Sequence, residues 1–150
     1  MKPLIILLIS FFVSLFLVRW FSNEWNVQSS GNIAMFIMLC ATGIIHFIHP
    51  KGMAMMMPDF LPFKQQLVYI TGIMEFLLGL GLLFPAIRKE SAIALMLFLV
   101  LVLAANIHAS TRKVNFEKAD YSGKGLSYLW FRIPLQLFFI GWTWYFGLSQ

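Results

Sequence analysis

The chain has little charge and almost no sulfhydryl. Among its 150 residues only 11% are charged, against about 25% in an ordinary soluble domain, and 60% are hydrophobic. A water-soluble core cannot absorb such an excess of apolar side chains. One cysteine, Cys40, lies within an apolar run, which excludes an intrachain disulfide and leaves a small packing residue. There is no cysteine pair, flavin motif, haem-attachment motif or His-Glu-x-x-His signature, so the sequence offers no resident electron donor and no zinc-protease chemistry. It also lacks low-complexity tracts and obvious internal repeats, which weighs against a transporter built on inverted halves.

What is present is a succession of five apolar runs: residues 3–21, 32–49, 66–86, 91–109 and 126–148. Each approaches the roughly 20 residues that span a hydrocarbon core at helical rise. Inside lipid an isolated segment satisfies its backbone only as a helix, so the expectation is an all-α integral membrane protein forming one membrane domain, residues 1–150. The first run follows Lys2 like a signal peptide, yet it is long and ends in Arg19, Trp20 and Phe21. A signal peptidase requires small residues, so an uncleaved helix over residues 1–22 is expected, ahead of a core over 32–150.

The formal charge of +5 does not argue for nucleic acid, because most basic residues flank apolar runs, where they set orientation and meet lipid headgroups. With the N-terminus in the cytoplasm, that side holds Lys2, Lys51, Lys64, Arg112, Lys113, Lys118 and Lys124; Arg19, Arg88 and Lys89 fall on the other. Seven against three predicts N-in and C-out. Trp20, Trp25, Trp142, Trp144 and Tyr145 lie near predicted outer ends, as interfacial aromatic anchors do. Residues 50–65, apolar but broken by proline, are too short to cross and are expected in the interface or dipping back into the bilayer as a cap over a cavity.

Glu75 falls nine residues into the third run, roughly 13 Å from its start at helical rise. An ionisable group there is costly, about 2.5–3.5 kcal/mol for a charged residue at a helix centre, so it should face the protein interior with a partner or a proton. Gly72, Glu75 and Gly79 share one helix face, which predicts close approach of a neighbouring helix. In the fifth run Arg132 and Gln136 share a face one turn apart, separated by Pro134, and an Arg132–Glu75 ion pair backed by Gln136 would satisfy both charges. His46 and His49 on the second run, with Asn106 and His108 on the fourth, fall at the same expected depth. Together with Glu75 they contain metal-ligand types, but their spacing is unspecific, and no metal is assigned. Met53, Met55, Met56 and Met57 read as interfacial apolar packing.

Five segments carry a resemblance to a known family: Gly43-Ile-Ile-His46-Phe47, Pro58-Asp-Phe-Leu-Pro62, the stretch Tyr69 to Pro85 with its Gly-x-x-Glu-x-x-x-Gly pattern, Ala105-Asn106-Ile107, and Arg132-Ile-Pro134-Leu-Gln136. From Gly43 onward the chain resembles the DoxX-like family of small bacterial membrane proteins. The resemblance implies a four-helix transmembrane bundle, here with an additional N-terminal helix. Relatives include subunits of membrane oxidoreductases, such as the archaeal thiosulfate:quinone enzyme, and the wider fold reaches eukaryotic membrane receptor chaperones.

Three functions stand open on these grounds. One is a redox-associated partner subunit, not a complete enzyme, in which Glu75, Arg132, Gln136, Asn106 and His46 place the polar head of a quinone or other apolar molecule. A second is a non-catalytic assembly factor for other membrane proteins, with the polar cluster as structural glue. Small-solute transport is the third.

Overall fold

A computed structural model describes residues 2–149. Helices α1 (Lys2–Ser22), α2 (Val27–Ile48), α3 (Pro50–Met55), α4 (Lys64–Gly81), α5 (Arg88–Thr111) and α6 (Leu129–Gly147) make up the fold, with a 3₁₀ turn at Gly125–Tyr128 leading into α6. Among the described residues there is no strand, only one isolated bridge between Asn115 and Asp120 in the α5–α6 loop. The protein is all-helical, and α1, α2 and α5 are long and apolar enough to cross a membrane. The other two expected spans are shorter and less apolar: α4 has 18 residues and carries Glu75, and α6 has 19 and carries Arg132.

Local chemistry sets the ends. The second helix begins at Val27, not residue 32, because the Asn26 side chain accepts from the Ser29 N–H at 2.9 Å and caps the first turn. It stops at Ile48 because Pro50 has no N–H to give; the same proline opens α3, whose single turn and a half occupies the proline-broken segment. The third expected run is trimmed at Gly81, where Arg88 Nε donates to the Leu82 carbonyl at 3.0 Å and satisfies an orphan acceptor at the helix end.

The second helix is central: it packs on α1, α4 and α6, while α5 joins α4 to α6. Its Met35, Met38 and Leu39 meet Leu7, Leu82, Leu95, Leu99, Leu135 and Phe139 in one core. Outside that core the surface is also apolar, with Ile9, Phe12 and Phe16 of α1, Ile70 and Leu77 of α4, and Leu97 and Leu101 of α5 all exposed. Such a belt is what a bilayer accepts and water does not.

Hydrogen bonds from side chains to carbonyls on neighbouring helices join the elements. Asn32 Nδ2 donates to Phe146 O and Trp142 Nε1 to Gly31 O, each at 3.0 Å, which fastens α2 to α6. Ser14 Oγ lies 3.1 Å from Ser30 O, between α1 and α2. Bonds of this kind contribute about 0.6–2 kcal/mol each in membrane proteins.

Candidate functional site

Val68, Gly72, Glu75 and Gly79 form the buried face of α4, at helical spacings of three and four. The two glycines make the approach to α2 possible: a Cβ on Gly72 would stand 2.8 Å from His46 Cβ, and one on Gly79 would stand 3.1 Å from Leu39 Cδ1. Glu75 is held between them, 6% exposed, and points into α2. Its Oε2 accepts from Thr42 Oγ1 at 2.8 Å and lies 4.0 Å from His46 Nδ1. Thr42 and His46 are one turn apart on α2, and His46 Nδ1 also lies 3.2 Å from the Thr42 carbonyl. A proton on Nδ1 therefore donates to Thr42 O and leaves Nε2 free to exchange protons or accept a bond.

Arg132 does not close on Glu75. Among the described residues no ion pair within 4.0 Å joins them. The reason is helix placement: α4 and α6 each pack against α2 and α5 and have no extensive contact with one another. Among the described residues Arg132 Nε, which is enclosed, has no hydrogen-bond partner, and Cζ lies 6.0 Å from the centre of the Tyr128 ring.

The other expected site residues disperse. Gln136 is buried and donates from Nε2 to Leu99 O at 2.9 Å, binding α6 to α5. Asn106, also buried, donates to Val102 O at 2.9 Å within its own helix. His49 lies beyond the end of α2 with its ring edge toward Phe116, and His108 Nδ1 is 3.1 Å from Met56 O, so these two belong to the loop end of the molecule. Among the described residues, no group of three or more His, Cys, Asp or Glu side chains is disposed to hold a metal ion.

Thr42, the direct partner of Glu75, is the site residue that sequence reasoning missed. Its signal was position alone, one turn before His46 on the same face. Outside the Gly43–Gly72 crossing lies an apolar recess of about 180 Å³, lined by Cys40, Ile44, Phe47 and Phe76 among others. Glu75 Oε2 is 3.7 Å from where a Gly43 Cβ would stand, so the absence of side chains at the crossing brings the carboxyl close beneath the recess.

A family described as a domain of unknown function, DUF8561, matches residues 35–147, most of the chain, and the protein belongs to that family. Neither a curated protein nor a solved structure matches it. The family match corrects the DoxX-like resemblance, since the stretch that carried the resemblance falls almost wholly within a different family. Small residues around a buried polar group recur wherever two membrane helices pack closely, so such spacing does not separate one family from another.

Proposed function

We propose that this DUF8561 protein is a multi-pass membrane protein whose Glu75 site receives the polar head of an apolar small molecule of the quinone class, as a partner subunit in membrane redox chemistry. The observation that carries the reading is the Glu75–Thr42–His46 group lying beneath an apolar recess on the outer surface of α2 and α4. Intramembrane ionisable groups gathered in this way are binding or proton-handling sites by default. The residues fit such a ligand: Phe47 and Phe76 offer ring faces, and His46 and Glu75 offer exchangeable protons to a carbonyl oxygen. A bound quinone would supply two-electron chemistry, and the chain would orient the head and exchange protons with it at His46 Nε2 or the Glu75 carboxyl.

In this reading all of α1, α2, α4, α5 and α6 cross the bilayer, with α2, α4, α5 and α6 forming a four-helix bundle and α1 packed on α2. The N-terminus is cytoplasmic and the C-terminus outside, in a bacterial cytoplasmic membrane. Contacts at one end support this: Lys2 lies 3.7 Å from Glu117, and Asp59 binds both Lys64 and Arg112, so the basic loops are gathered on one side.

The test is extraction of the purified protein and assay of the extract for quinone, alongside thermal unfolding with a short-chain ubiquinone analogue. Wild type should carry quinone above a lipid-matched control and be stabilised by the analogue, and Glu75→Gln with His46→Ala should lose both. No quinone and no stabilisation in wild type would reject the proposal.

A second reading, an assembly factor whose polar groups only hold helices together, draws on the bonds from Asn32 and Gln136 to carbonyls of neighbouring helices. It requires Glu75→Gln combined with Arg132→Met to retain activity once folded. Loss of activity in that folded double variant rejects it.

A further inference from the structure

A second recess, of about 360 Å³, lies at the opposite pole from the α1–α2 turn, where the end of α2 and the start of α3 meet the α5–α6 loop. Its base is fixed: a Cβ on Gly52 would overlap the Phe116 carbonyl oxygen, so the backbones of α3 and the loop are in direct contact. Charge within it is unbalanced. Glu117 lines the recess but is paired with Lys2 at 3.7 Å, whereas Lys51 is exposed and forms no ion pair among the described residues. His49 adds a second nitrogen-bearing side chain on the same wall. The wall continues onto Phe47 and Ile48, both exposed on the last turn of α2 and continuous with its apolar outer side.

From this juxtaposition we infer that the recess is a binding site for an anionic phospholipid. Lys51 and His49 take the headgroup phosphate, and an acyl chain runs down Phe47 and Ile48. A cation at the polar rim of an apolar wall matches the two halves of such a lipid, and basic recesses beside membrane helices suit anionic headgroups. The inference rests on membrane residence and not on the Glu75 site, so the two are separable by experiment.

The full chain, purified in detergent and stripped of lipid, is titrated with phosphatidylglycerol or phosphatidylcholine and examined by native mass spectrometry. Phosphatidylglycerol should be retained preferentially, and Lys51→Gln should weaken it about fivefold, the equivalent of one lysine near an anionic headgroup. Ala119→Glu, which adds negative charge to the rim, should weaken it as well, while Lys124→Gln and Glu75→Gln should not. Equal retention of both lipids, or equal losses from Lys51→Gln and Lys124→Gln, would overturn the site. Displacement of phosphatidylglycerol by millimolar inorganic phosphate would replace the lipid with a soluble anion and overturn the inference too.

Discussion

At the scale of single residues, the stability of the site turns on one hydroxyl proton. Thr42 Oγ1 has three acceptors in reach, Met38 O at 3.2 Å, Leu39 O at 3.1 Å and Glu75 Oε2 at 2.8 Å, and can donate to only one at a time. The shortest contact leads to the buried carboxyl. Thr42→Val keeps the shape and deletes the donor, so it is expected to lower stability by about 1–3 kcal/mol, with Thr42→Ser close to wild type in equilibrium unfolding. Equal stability of the two variants would show that Glu75 does not depend on Thr42. Outside the membrane helices, Asp59 accepts from Lys64 at 3.0 Å and from Arg112 at 2.5 Å. These bonds, that of Lys64 first, hold its carboxyl below the ordinary value of 3.8. A depressed folded-state value means that the tether is complete above 3.8 and is lost as pH falls through the lower value. Amide exchange in segment 56–63, corrected for its intrinsic pH dependence, should therefore accelerate on acidification below that value in wild type and show no such step in Asp59→Asn. Burial of Glu75 was legible because glycines flank it at helical spacing. Its partner was not, because a helical threonine ordinarily bonds back to its own helix, and only the helix crossing turns Thr42 toward α4.

At the scale of elements, the apolar runs located the five long helices, while their ends depended on single groups that periodicity does not weigh. The start of α2 moved back to the Asn26 cap, and residues 50–65 hid the six-residue α3, too short for any repeating pattern. Pairing of Arg132 with Glu75 was read from charge alone. It failed because which helices become neighbours is a property of the whole packing, and α6 is fastened to α5 through Gln136 and to α2 through Trp142. Glycines show how closely the elements are fitted. At Gly52 a methyl group would meet the Phe116 carbonyl, which is backbone and cannot rotate away, so Gly52→Ala should destabilise by about 1–3 kcal/mol and detach α3 from the α5–α6 loop. Gly141 sits within α6, and among the described residues no atom beyond its own helix backbone and chain neighbours comes within 4 Å of its would-be Cβ. Gly141→Ala should therefore stabilise α6 by about 0.5–1 kcal/mol through helix propensity alone. Thermal unfolding of the pair in one detergent compares them directly; similar shifts would contradict the assigned packing.

At the scale of the whole molecule, polarity is arranged along the helices. The middle is apolar inside and out, so lateral surroundings of lipid cost nothing, while charge is confined to the ends and to the interior around Glu75 and Arg132. One end gathers Lys51, Lys64, Arg112 and Lys124, and its acidic residues do not cancel that excess: Asp59 serves Lys64 and Arg112 together, and Glu117 serves Lys2. The other end sets Glu24 and Glu90 against Arg19, Arg88 and Lys89, which leaves it less cationic toward its surroundings. Translocation discriminates against the more basic end of short loops, so the proposed orientation places Lys124 inside and Lys89 outside. With Cys40 first replaced by serine, single cysteines at these two exposed positions provide the measurement. A membrane-impermeant maleimide added to intact cells should label Lys89→Cys and spare Lys124→Cys until the membrane is opened. The opposite pattern would invert the orientation, and labelling of both from outside would mean that the number of crossings between them is not the single passage of α5 that the proposal requires.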